Sequence, residues 1–239
     1  AAILSVSDQD APPEQLSGAK HTPRSRAGGS LLFHHRGLTG PAALDVSEAC
    51  AQAVAESRPC FLRGDFWTLT RTDSLFPPLR ETTKAPGSSL GPRDCPRPVD
   101  RARFEEELRE EEAAGDRTVL ALVAERQPRR LAQALLEAGE VDGRHRLSEL
   151  RGKALDRLWR AVVHARLEVR GTDGFGKAEV TAGGIPLDAL HRRSLESRRV
   201  PGLRWCGEVV DVTGRLGGFN FQWAWASGYV AGGGLTRGD

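Results

Sequence analysis

PGLRWCGEVVDVTGRLGGFNFQWAWASGYVAG, residues 201–232, is the stretch on which the reading of this chain turns. Pro201-Gly202 marks a turn, and residues 203–206 read as a short buried strand. Gly207-Glu208 then sets an acid at the strand's end. After Asp211 the chain passes through Gly214 and Gly217-Gly218 into residues 219–230, where small and aromatic residues alternate at helical spacing. Ala224, Gly228 and Ala231 leave room for close backbone packing along that helix. Upstream, residues 177–181 look strand-like and end in Ala182-Gly183-Gly184.

An acid at the end of a parallel strand lies in the crevice where α/β sheets bind ligands. A Gly-Gly pair ahead of a helix lets a ligand come close to backbone amides. The helix start adds unpaired N–H groups and a partial positive charge, which suits phosphate or the electron-rich edge of a reduced flavin. Spacing alone leaves a second reading open, a tight turn whose glycine-rich helix only packs on a sheet.

The remaining composition narrows the function by exclusion. The 239 residues suffice for one large domain or two ordinary ones. Hydrophobic residues at 39% and charged residues at 28% are those of a globular protein. No apolar run approaches the roughly 18 residues of a membrane span, and a soluble cytoplasmic protein is expected. Of the 34 basic residues only Lys20, Lys84, Lys153 and Lys177 are lysines. The arginines interleave with acids, as in RARFEEELREEE (101–112), so no nucleic-acid face is expected from the sequence. Cys50, Cys60, Cys95 and Cys206 have no metal-ligand spacing and read as reduced structural thiols, with no metal site. No GxSxG elbow points to hydrolysis. His34 and His35 beside Arg36 read as structural, the glutamates of 105–112 as a solvated helix face, and Trp205, Trp223 and Trp225 as core in preference to flavin shielding.

Along the chain, residues 1–30 read as loop or weak edge structure. In GLTGP (37–41), Thr39 can cap and Pro41 can occupy the first turn of a helix over 41–55. Residues 61–62 and 66–70 look like strand, and 73–98 is a long Pro/Gly/Ser connection, expected to be exposed and mobile. From 99 the pattern turns helical: a charged helix ends at Gly115, TVLALV (118–123) fits buried strand or helix by periodicity and is assigned to helix, and another helix runs from Pro128 to Gly139. Leu147, Leu150, Leu158 and Val162 continue the helical period.

The closing stretch closely resembles the BaiN-type bacterial NAD(P)/FAD-dependent oxidoreductases, a family that includes enzymes called aminoacetone oxidases. GSLLFHHRGLTGPAALDVS (29–47), RQPRRLAQALLEAGE (126–140), and AEVTAGGI (178–185) followed by SLESRRVPGL (194–203) resemble further family segments in the same order. The resemblance implies an α/β flavoprotein with an α+β insert. Residues 1–170 would be an inserted sheet-plus-helix domain, and 171–239 the closing part of a Rossmann-like FAD-binding domain. It implies FAD as cofactor, NAD(P)H as a candidate electron donor, and redox chemistry on a small organic substrate. Glu208 and Asp211 would line the ribityl and phosphate side. Gly217, Gly218, Phe219 and Asn220 would present backbone to the isoalloxazine, with Gly183-Gly184 nearby. Leu216, Phe219 and Leu195 depart from the family's Thr, Tyr and Met, which removes two hydroxyls. No catalytic residue is assigned.

No GxGxxG follows a strand near residue 1, no acid about 20 residues beyond could hold a ribose, and methionine is absent. The expectation is therefore a fragment or split-gene product that lacks the amino-terminal Rossmann unit. The alternative is a non-catalytic remnant or interaction module without flavin.

Overall fold

A computed structural model describes residues 2–7, 24–68 and 98–236. The chain divides into two compact units, Ala1–Gly171 and Thr172–Asp239, in a mixed α/β architecture.

The first unit is built on a four-stranded antiparallel sheet. Its strands are β1 (Ala2–Ser7), β2 (Ser25–Gly29), β5 (Phe61–Asp65) and β6 (Ala165–Leu167), in the order β2-β1-β5-β6. The expected loop or weak edge structure over 1–30 fits β2, an edge strand, but is corrected for β1, an interior strand whose Ala2, Ile3, Leu4 and Val6 are fully buried. Six residues are too few to display a period, and the Pro, Gly and Ser of the flanking sequence dominate any local average. Residues 8–23 lie outside the described ones.

A hairpin of β3 (Leu32–His34) and β4 (Gly37–Thr39) follows β2. His34 and His35 sit exposed on it, and the Arg36 amide donates to His34 Nδ1 at 3.3 Å. Helix α1 (Pro41–Ala55) has the expected bounds, with Pro41 in its first turn. The cap differs, since Thr39 is engaged in β4 and the N-cap is Gly40, which makes no side-chain cap bond. Gly40 has φ +98°, and a Cβ there would meet Ser30 O at 2.8 Å. Ala42, Val46 and Cys50, on one face of α1, pack on Leu4, Val6, Ala27 and Leu62. Burial, reinforced by neighbouring Cys60, pushes the Cys50 thiol up to about 12.

Four helices form the second core of this unit: α2 (Arg101–Ala114), α3 (Val119–Arg126), α4 (Arg129–Ala138) and α5 (Gly152–Val163). Local chemistry sets their ends. Asp100 accepts from the Arg103 amide and Thr118 from the Ala121 amide, each satisfying a first-turn donor. Gly139 follows α4 where a Cβ would sit 2.5 Å from the Ala161 Cβ, so glycine sets the closeness of that approach. Leu147 and Leu150 are buried as expected but precede α5, Leu147 lying in a 3-10 turn.

The strand expected over 66–70 is not formed by its described residues, Phe66, Trp67 and Thr68. After Asp65 the chain leaves the sheet and enters the helical core. Phe66 donates its amide to Val162 O and accepts Gln127 Nε2 on its carbonyl, both at 2.7 Å. Trp67 meets Phe104 edge-on at 4.8 Å, lies under the Arg126 guanidinium at 4.1 Å, and donates its indole N–H to Glu107. Aromatic residues that locally favour strand are claimed here by tertiary packing. The Pro/Gly/Ser connection, all but Pro98, lies outside the described residues. Among the described residues no helix is long and apolar enough to cross a membrane.

Asp65 Oδ1 accepts from the amides of Trp67 (2.8 Å) and Thr68 (2.9 Å), so a buried carboxylate steers the exit from the sheet. Burial pushes its carboxyl up to about 6, although hydrogen bonds from Thr68 and Trp67 oppose the shift. A carboxyl raised on folding stabilises the protein most below its unfolded value, and that contribution is lost as pH rises through about 6. Asp65→Asn keeps the accepting oxygen and removes the titration. Urea unfolding at pH 4 and pH 8 should show the wild type losing on the order of 2–3 kcal/mol relative to Asp65→Asn. An unchanged difference between the two pH values would contradict this role.

Candidate cofactor-facing site

The second unit carries the candidate residues, and its backbone is held by turns instead of strands. Residues 177–181, expected as strand, form turns and bends. Of its two β-formers, Val180 and Thr181, only Val180 is even partly buried, and Lys177, Ala178 and Glu179 before it are exposed, so a strand there would bury little. The short buried strand expected over 203–206 is also absent. Arg204 makes one bridge to Glu196, while Leu203 and Cys206 are exposed. The aromatic and aliphatic residues that signalled a strand serve a small cluster instead. Leu190, Leu195 and Val210 are its buried members, and Ile185, Trp205, Val212 and Trp223 pack against them.

Among the described residues one parallel contact does form, the Ile185–Val210 bridge. Ile185 donates its amide to Val209 O, and Asp211 donates its amide to Ile185 O, both at 2.9 Å. Gly184 makes this contact possible. A Cβ there would lie 2.4 Å from Val209 O, and its φ of +126° is one that side chains rarely adopt. Two carboxylates brace the same junction. Glu208, in a 3-10 turn (Gly207–Val209), accepts from the Thr181 amide at 2.9 Å. Asp211 accepts from the Gly183 amide at 3.1 Å. The four predicted residues Gly183, Gly184, Glu208 and Asp211 thus come together. Both acids are exposed, and each retains acceptor capacity beyond the bond that fixes its loop.

Helix α6 (Phe219–Thr236) begins after Gly217 and Gly218, whose φ values are +117° and +88°. The Gly218 carbonyl accepts the Gln222 amide at 3.0 Å. The amides of Phe219, Asn220 and Phe221 therefore belong to the first turn, which has no intrahelical acceptors for them. Apart from its chain neighbours, nothing lies within 4 Å of where a Gly218 Cβ would project. Asn220 has a structural task that its predicted role omitted. Its side chain accepts from the Gly214 amide at 2.7 Å and donates to the Gly214 carbonyl at 2.9 Å, closing the loop ahead of the helix. Phe219 is exposed, with the Arg215 guanidinium 5.2 Å from its ring centroid.

Ser227 and Trp223 were not singled out for the role they take. Ser227 Oγ accepts the Gly207 amide at 2.9 Å, and Trp223 Nε1 donates to the Gly207 carbonyl at 3.0 Å, so α6 grips the peptide beside Glu208 from both sides. The available signal was a serine four residues after Trp223, within the mostly apolar run 223–231. Trp223 and Trp205 pack as core, but Trp225 does not. It is 70% exposed and stacks on Phe221 at 6.3 Å.

Gly184→Ala should unfold this junction. Left-handed strain costs on the order of 1–3 kcal/mol, and the contact with Val209 O adds to it. The Ile185 and Asp211 amides should then lose protection in hydrogen exchange, while those of β1 and β5 in the first unit keep theirs. Equal protection in variant and wild type would show that the approach to Val209 is dispensable.

Residues 27–234 match the family model described as HI0933-like protein Rossmann domain. Among curated proteins, the chain is 33% identical over 84% of its length to the ribosomal RNA dihydrouridine synthase of Escherichia coli, and 30% identical over 87% to that of Haemophilus influenzae. It is 41% identical over 44% of its length to the 3-dehydro-bile acid delta(4,6)-reductase of Clostridium scindens. The chain spans 41%, 42% and 26% of the lengths of these relatives. A match over nearly the whole chain, including the glycine-bounded junction and the start of α6, makes this protein a member of the HI0933-like Rossmann-domain family.

Proposed function

We propose that this chain supplies the glycine-lined closing part of a flavin-dependent reductase, with FAD as cofactor and a uracil ring of RNA as the substrate class. The observation that carries the flavin part is the start of α6. Gly217 and Gly218 hold positive φ, no atom beyond the chain neighbours comes within 4 Å of a Cβ placed at Gly218, and first-turn amides lie next to it. A flat ring can approach such a backbone, and the helix terminus favours negative charge developing on that ring. Glu208 and Asp211, already anchored to Thr181 and Gly183, would hold hydroxyl groups of the cofactor with their remaining acceptor capacity. When bound and reduced by NAD(P)H, the flavin would supply a hydride, and a proton would complete the addition across the double bond.

The substrate class rests on the relatives. Dihydrouridine synthesis and a delta(4,6)-reduction share one chemistry, the addition of two hydrogens across a ring double bond. The two RNA-modifying relatives align along 84% and 87% of this chain and the bile-acid reductase along 44%, which favours the RNA base. This proposal departs from the expectation that no nucleic acid is a partner.

Titration of FAD with the chain, followed by flavin fluorescence, tests the cofactor reading. Binding should be saturable but weak, because the chain spans only 41–42% of the RNA-modifying relatives. Gly218→Val should weaken it at least tenfold, about 1.4 kcal/mol, with an unchanged circular dichroism spectrum. Equal affinity in wild type and variant would remove the start of α6 from the cofactor site.

A further inference from the structure

The chain leaves the Gly184–Val209 junction at Ile185 and returns to it at Gly207. Between these points it forms a compact loop that bears His191, Arg192, Arg193, Arg198 and Arg199, all exposed. The loop is well fixed. Leu190 and Leu195 are buried beneath it, and its backbone bridges Leu190 to Ser197 and Glu196 to Arg204. The His191 amide donates to Glu196 O at 2.8 Å, and the Ser197 amide to Leu203 O at 2.7 Å. Ser197 Oγ accepts the amides of Arg199 and Val200, both at 3.2 Å.

The nearby charges divide cleanly. Arg198 is structural, since its Nε donates to Leu190 O at 3.0 Å and its amide to Ala189 O at 2.9 Å. Glu196 is neutralised within the loop, accepting from the Gly202 amide at 2.9 Å and pairing with Arg204 at 3.5 Å. Those two groups also hold its carboxyl below the usual carboxylate range. Asp188, exposed at the base of the loop, is the other acid of this segment. Arg192, Arg193 and Arg199 thus project positive charge from a backbone ordered by neighbouring residues.

We propose that Arg192, Arg193 and Arg199 form a phosphate-binding surface that seats an RNA strand beside the glycine-lined site. This rests on the RNA reading given above. Arginine forks match phosphate oxygens in planar geometry, and a pre-ordered backbone lowers the cost of bringing three of them to one strand. Five residue steps lead from Ile185 to Leu190, so the base of the loop lies at most about 18 Å from the junction. An enzyme acting on a base must present that base to its site, and contacts to the flanking phosphates fix strand register without reading sequence.

The test is fluorescence anisotropy of a fluorescein-labelled, uridine-containing 16-nucleotide single-stranded RNA with the full chain, over a range of KCl concentrations. The R192Q/R193Q/R199Q variant should bind at least tenfold more weakly at 50 mM KCl. Each lost phosphate contact should reduce the steepness of log K against log salt by roughly 0.7, hence by about 2 for the three. An R129Q/R130Q/R170Q variant, with the same change in net charge from exposed sites in the first unit, should match the wild type. If the wild type binds but the loop variant matches it, or both variants fall equally, the loop assignment is overturned while the RNA reading stands. If the wild type shows no salt-dependent RNA binding, both are overturned.

Discussion

The second unit depends on one close approach, that of the Gly184 α-carbon to the Val209 carbonyl. A side chain at residue 184 would collide with that oxygen. Without the approach the Ile185–Val210 bridge cannot form, and the amides of Ile185 and Asp211 lose their partners. An unpaired backbone group of this kind costs about 1–3 kcal/mol when water cannot replace the partner. Glu208 and Asp211 brace the junction, and so does α6, through Ser227 on the Gly207 amide and Trp223 on the Gly207 carbonyl. The same contacts that make the unit cohere also fix two carboxylates and a helix start within a single short segment.

The first unit has a different logic. A sheet packed on α1 and a helical cluster around Trp67 and Trp159 are separate cores, and Asp65 turns the chain from one to the other. Its buried carboxyl, raised by desolvation, is the cost of ending β5 sharply enough for Phe66 to reach Val162 and Trp67 to reach Phe104. Cys50, Cys60 and Cys206 are free thiols, of which Cys50 is packed as an apolar side chain.

Helices were legible where local chemistry marks their ends. Pro41 and the glycines after Ala114 and Ala138 each act within a turn, so the sequence carries them directly, whereas the cap at Thr118 emerges only from the structure. Strands were not legible where pairing partners are remote. Ala2–Ser7 is interior only because Ser25–Gly29 and Phe61–Asp65 flank it. Phe66 and Trp67 read as strand because their composition fits one, but helices more than 30 residues away claim them. At the site, the grouping of Gly183, Gly184, Glu208 and Asp211 was implied by the family resemblance and not by spacing, because the strand expected to set Glu208 at its end does not form. The bracing roles of Thr181, Asn220 and Ser227 depend on which backbone groups the folded loop leaves exposed, and no spacing reveals that.

The central claim is that one surface of the second unit, the Gly183–Asp211 junction together with the start of α6, faces a flavin. Amide chemical-shift mapping of the isotope-labelled chain during FAD addition tests it most directly. The account predicts shifts concentrated at residues 181–184, 208–211 and 218–221, with the amides of α2, α3 and α5 unmoved. Shifts confined to the first unit, or none at any accessible FAD concentration, would contradict it.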